Sequence, residues 1–279
     1  MQGTQSTPQP SPTRWWVLAA TSFGLFMALL DVTIVNVALP VIQHNLHVSF
    51  ASLQWIVNAY ALTFAVGLIT MSRLGDIFGR KKWFIIGLAI FTIGSLFSGL
   101  ADIIHISGVA PITLLIAARS VQGLGAAGMV PLSLSIIFAT FSGSERNMAI
   151  GIWGGISGVA VAIGPLVGGV LIQAISWPAI FYVNIPIGII GITLSALYIH
   201  ESRNPHSPRQ IDWFGFVTLT GSTFSLIWAL MHISTAANGW TSPRILLFLA
   251  AFVVLLAIFV IGELHLPHPM VDPRLFTNR

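Results

Sequence analysis

Ser72-Arg73-Leu74-Gly75-Asp76-Ile77-Phe78-Gly79-Arg80-Lys81-Lys82 is a short charged stretch set between two apolar runs, residues 53–72 and 83–101. A helix rises 1.5 Å per residue, so about twenty apolar residues match the roughly 30 Å hydrocarbon core of a bilayer. The stretch therefore reads as a tight turn between two membrane helices. Its glycines permit unusual backbone angles, and its basic residues hold the turn on one side. Asp76 precedes Arg80 by four residues and can pair with it or cap a helix start.

Outward from this turn the pattern repeats. Eight apolar runs can each cross a bilayer: residues 15–39, 53–72, 83–101, 112–140, 149–172, 179–199, 213–234 and 243–262. Only 7% of the 279 residues are Asp, Glu, Lys or Arg, and 55% are apolar. Soluble domains carry about 25% charge, so a soluble enzyme or a nucleic-acid binder is excluded despite the net charge of +4. With no cysteine, disulfides, thiolate metal sites and Cys nucleophiles are excluded as well. The polar residues 1–14 read as a tail, and the first apolar run is too long for a signal-peptide core.

Placement of Lys and Arg sets the expected orientation. With the N-terminus cytoplasmic, Arg14, Arg73, Arg80, Lys81, Lys82, Arg146, Arg203, Arg209, Arg274 and Arg279 lie inside and only Arg244 outside. Both termini are then cytoplasmic. Residues 200–212, HESRNPHSPRQID, are polar with two prolines and part the chain. The expected organisation is a tail (1–14), a six-helix bundle (15–199), a linker (200–212), two added helices (213–264) and a final cytoplasmic segment (265–279).

Ionisable residues at membrane depth are costly and usually functional. Asp31 lies eight residues before Leu39, about 12 Å below the expected outer end of its helix. Arg119 lies seven residues into its span, about 10 Å down. Opposite charges at similar depth are expected to face one polar cavity and to interact, with a proton at Asp31 exchanging against a cationic substrate. The plainer alternative is a pair that locks two helices. Asn36, Asn58, Tyr60 and Gln122 are expected to line the cavity or to bond between helices. His44, His47 and His105 fall in outside loops, and His200, His206, His265 and His268 in inside segments. His232 alone nears a span. Their spacing fits no metal site.

The turn at 72–82 resembles the loop signature of the major facilitator superfamily, G-x-L-x-D-x-x-G-R-K, with Gly75, Asp76, Gly79, Arg80 and Lys81 as its gate-loop residues. Ser72 replaces the usual first Gly, and Ile77 a common basic residue. Leu30-Asp31-Val32-Thr33-Ile34-Val35-Asn36-Val37-Ala38-Leu39-Pro40 is similar to the helix 1 signature of the 14-span drug:proton antiporters, the EmrB/QacA-like group. Arg119-Ser120-Val121-Gln122-Gly123-Leu124-Gly125-Ala126-Ala127 resembles R-x-x-Q-G-x-G-A-A, whose Arg is implicated in proton relay.

Gly164-Pro165-Leu166-Val167-Gly168-Gly169 resembles the antiporter motif G-P-x-x-G-G, with Ala160 in place of an upstream Gly. Read from its residues alone, this is a kinked, close-packing helix. Asp212-Trp213-Phe214-Gly215, Gly239-Trp240-Thr241-Ser242-Pro243 and Asn184-Ile185-Pro186-Ile187-Gly188 are also family-like. Trp177-Pro178-Ala179 departs from the usual W-R-W.

The resemblance implies an all-α polytopic membrane protein, a major facilitator N-terminal six-helix bundle plus two additional helices. It implies a secondary active transporter in a bacterial cell membrane that exports drugs or other amphipathic or cationic molecules against inward protons. No cofactor is expected, since the proton gradient is the energy source. Helices 9–14 of the family plan are missing, so the expected partner is a C-terminal bundle, in cis or in trans, beside lipid, protons and substrate. The chain would be a partial sequence, a truncated remnant or half of a split transporter; Asp76 would contact the absent half. A non-transporting interaction partner and a facilitator of another metabolite are the alternatives. An enzyme is not expected: no loop offers a nucleophile with its base, and Gly123-Leu124-Gly125 lies within a membrane helix.

Overall fold

The computed structural model describes residues 13–104, 106–203, 212–233 and 239–266. The expected tail through residue 12, His105, His206, His268, Arg209, Arg274, Arg279, most of the linker and the final segment lie outside the described residues. Among the described residues, eight helices are long and apolar enough to cross a membrane. They are α1 (Thr13–Leu46), α2 (Phe50–Phe78), α3 (Arg80–Leu100), α4 (Pro111–Thr140), α5 (Gly143–Ala174), α6 (Ala179–Tyr198), α7 (Trp213–His232) and α8 (Pro243–His265). Phe97, Leu197, Leu247 and Val253 are among many large apolar side chains left exposed, the surface of a protein bathed in lipid. The molecule is a multi-pass membrane protein.

Several helices outrun the apolar runs that predict them. α1 continues past Pro40, which forfeits one backbone hydrogen bond, because the next turn buries Ile42 in the core with Ile34, Ile56 and Trp177. The expected loop after α1 shrinks to residues 47–49, where Ser49 Oγ accepts from Ser52 N at 3.2 Å and caps α2. α5 begins at Gly143, upstream of its apolar run, with Glu145 in its first turn and Arg146 Nε donating to Phe141 O at 2.9 Å.

The sixth span is not continuous. It breaks at Val183 into Ala179–Tyr182 and Asn184–Tyr198. Pro186 supplies no N–H to the carbonyl four residues earlier, so one bond of the ladder is missing beside this point.

α4 is the central helix, packed against α1, α2 and α3, while α1 also packs on α5 and α6. Contacts with α4 are made through glycine. A Cβ on Gly125 would strike the Phe91 backbone, and one on Gly94 would strike Gln122. Where lipid replaces water, such close backbone approach is a main source of helix association. α7 and α8 pack on each other and reach the six-helix bundle through α2. Trp228 stacks on Phe248 at 3.9 Å, and Trp55 lies 6.4 Å from the His232 ring.

Candidate coupling site

Asp31 stands in the middle of α1 with no solvent exposure, and Arg119 on α4 is 1% exposed. Arg119 Nη1 donates to Asp31 Oδ2 at 2.5 Å and to Gln122 Oε1 at 2.7 Å. Gln122 Nε2 donates to Asp31 Oδ1 at 2.7 Å. Arg119 and Gln122 are three residues apart, hence on one face of α4, and together they clamp both carboxylate oxygens. Arg119 Nε reaches Ile56 O on α2 at 3.3 Å, and its guanidinium lies 4.4 Å from the centre of the Tyr60 ring. An ion pair at this depth persists because both carboxylate oxygens and the guanidinium are held by further hydrogen bonds.

Depth counted from the observed helix ends does not match: Asp31 is about 22 Å from the end of α1, and Arg119 about 12 Å from the start of α4. The charges meet because α1 overshoots the level at which α4 begins.

Two further residues complete the network, and neither was expected from the sequence as part of the site. Asn184 Nδ2, at the break in α6, donates to Asp31 Oδ1 at 3.2 Å and to Ser95 Oγ at 3.0 Å. Ser95 Oγ, on α3, donates to Phe181 O at 2.9 Å. Both side chains are fully buried. Gly94 lets α3 approach α4 closely enough to seat Ser95. A lone Asn two residues before a proline in an apolar run was the available signal for Asn184; Ser95 had none.

Next to the pair is a cavity of about 240 Å³, bordered by Val32, Tyr60, Phe64 and Arg119 among mostly apolar side chains. It is not the polar cavity expected. Gln122 is buried in the network, and Asn36 and Asn58 do not border this cavity. The helical period explains this: Asn36 lies about 140° around α1 from Asp31, and Asn58 about 160° around α2 from Tyr60. Asn36 is exposed and Asn58 half-buried.

The α2–α3 turn is a single residue, Gly79, at φ 124°, a conformation that disfavours a side chain. Asp76 bonds to Arg80, with Nε to Oδ1 at 2.8 Å, instead of capping α3. Glu201, beyond α6, takes the capping role by accepting from Lys81 N at 3.0 Å and Lys82 N at 3.2 Å. The Glu201 carboxylate fills the space where a Gly79 side chain would stand. Lys81 Nζ donates to Ala196 O at 2.7 Å, and Gly75 packs on Leu132. Arg14 pairs with Glu145 at 3.5 Å, joining the starts of α1 and α5.

In α5, Gly164 faces Thr33 and Gly168 faces Ile34, so the motif presses α5 onto the helix that carries Asp31. Pro165 lies within the helix, and Gly169 opens onto empty space. No group of three or more His, Asp or Glu that could hold a metal occurs among the described residues.

A family model described as Major Facilitator Superfamily matches residues 21–268. The tetracenomycin C resistance and export protein of Streptomyces glaucescens is 38% identical over 264 residues, covering 95% of this chain and 47% of that protein. Multidrug resistance protein Stp of Mycobacterium tuberculosis is 38% identical over 267 residues, covering 95% and 48%. The methylenomycin A resistance protein of Bacillus subtilis is 35% identical over 263 residues, covering 94% and 54%. This chain thus spans about half the length of these relatives. A crystal structure of the peptide transporter POT in complex with sulfate superimposes with a TM-score of 0.61 at 17% identity, over 94% of this chain and 55% of that one, a likeness of fold.

Proposed function

Since the chain belongs to the major facilitator superfamily, we propose that it is the front portion of a 14-span drug:proton antiporter, exporting amphipathic or cationic molecules against inward protons. The observation that carries this reading is the buried Asp31–Arg119 pair beside an apolar cavity that borders Arg119. A carboxylate held by three donors from two other helices can bind a proton only by rearranging them, which ties protonation to helix packing. The apolar wall with one cation and the Tyr60 ring suits a substrate that is largely hydrophobic. The proton gradient serves as the energy source, with no cofactor.

Resistance and export proteins among the relatives support the substrate class. Alternating access in such transporters rocks two bundles about a midplane site, so a second six-helix bundle, in cis or in trans, is part of the proposal. On α5, Gly151, Gly154, Gly155 and Gly158 have nothing within 4 Å, a face suited to close approach by another helix.

The test is efflux of a cationic fluorescent dye from energised cells expressing the open reading frame that carries this chain. Asp31→Asn should abolish the part driven by the proton gradient; undiminished coupling would sink the reading. The proposed orientation places both termini in the cytoplasm of a bacterial cell. The chain has no cysteine, so Lys82→Cys and Gly108→Cys can be labelled singly with an impermeant maleimide. Gly108→Cys should react in intact cells and Lys82→Cys only after lysis.

A further inference from the structure

Asp31 Oδ1 accepts from two side-chain amides, and the two are anchored differently. Gln122 is held at both ends, its Nε2 on Asp31 and its Oε1 on Arg119. Asn184 is held at one end only. Both of its N–H groups are used, on Asp31 Oδ1 and on Ser95 Oγ, while its Oδ1 is buried with no hydrogen-bond partner. A buried amide oxygen without a donor is uncommon and costs free energy. The other titratable or charged groups at the carboxylate are Arg119 and Tyr60; α3 and α6 present Ser95 and Asn184, and α5 presents glycines one turn away.

Resting on the proposed proton exchange at Asp31, we propose that Asn184 is a positioning residue whose amide turns end for end when a proton binds that carboxylate. The ionised form offers only acceptors, so the amide must present Nδ2 to it, as observed. A proton taken from water onto Oδ1 makes that oxygen a donor, and one of the two amides facing it must withdraw its N–H. Gln122 cannot turn without giving up Arg119. Asn184 can, and turning brings its idle oxygen to the new O–H. Ser95 then finds an acceptor in Asn184 in place of a donor, and its hydroxyl swings away from Phe181 O. That carbonyl sits at the break in α6. The protonation state of Asp31 is thereby written into the hydrogen bonding at the break in α6.

The test is pH-difference infrared spectroscopy on the purified product of the open reading frame that carries this chain, in lipid nanodiscs, unlabelled and with side-chain 15N-asparagine. The expected result is a carboxylic-acid band, lost in Asp31→Asn, accompanied by a 15N-sensitive amide band with the same midpoint. The amide band should vanish in Asn184→Leu and shift in frequency in Ser95→Ala. Because the isotope leaves the chain unaltered, the principal observation does not depend on a variant folding. An acid band with no asparagine band overturns the turning amide and leaves proton exchange standing. An asparagine band that persists unchanged in Asn184→Leu also overturns it. Absence of any Asp31 acid band overturns both.

Discussion

Asp31–Arg119 and Asp76–Arg80 are both carboxylate–guanidinium pairs, and they live under opposite conditions. The second joins residues four apart at a helix turn, with side chains 26% and 18% exposed. The first joins two helices across 88 residues of sequence, with side chains 0% and 1% exposed. In the exposed pair, water solvates either charge alone, and losing the partner costs little. In the buried pair each charge depends on the other, and a change at one must be answered by the rest of the network. How much each pair matters to the fold follows from burial, not from the pair itself.

The largest expected effect is on the buried pair. Arg119→Leu alone leaves a buried carboxylate unpaired and should destabilise the chain by about 3–5 kcal/mol, whereas Asp31→Leu with Arg119→Leu should recover most of that loss. Denaturant titration of the purified variants decides it; a double variant no more stable than Arg119→Leu breaks the comparison.

Next in size is Gly125→Val on α4, which forces a side chain against the Phe91 backbone and should cost about 1–3 kcal/mol. The same titration would show no loss if α3 could simply move away. Gly79→Ala should cost about 1–2 kcal/mol, because its φ is disfavoured and the space is occupied by Glu201. Thermal melts monitored by helicity check this, and a neutral outcome means the turn rearranges freely.

Glu201→Gln weakens the cap of α3 and should cost about 0.5–1 kcal/mol, less at high salt. Smallest is Asp76→Asn, about 0.3–0.5 kcal/mol and salt-dependent, read in the same melts. A loss at Asp76 as large as at Arg119 would mean that exposure is not what separates the two pairs.

The turn was legible because all its parts are local: Asp76 and Arg80 are four residues apart, on either side of Gly79, which marks the reversal. Glu201 was illegible as the cap of α3, since it arrives from more than a hundred residues downstream. Asn36 shows the converse. It stands in the same motif as Asp31, yet the helical period turns it to another side. Ser95 looks like any hydroxyl in a membrane helix, and only its neighbours distinguish it.

The class of molecule, the eight stretches long and apolar enough to cross a membrane and the residues whose charge would be expensive in a bilayer could all be read from the sequence. Hydropathy and helical period act within about twenty residues, and twenty residues span a membrane. Tertiary structure decided which polar groups meet. It set α1 beyond the start of α4 so that Asp31 reaches Arg119, brought α3 in on glycine contacts to seat Ser95, and broke α6 where Asn184 could join them. Those choices depend on how helices tilt and slide past one another, which packing settles and no local pattern encodes.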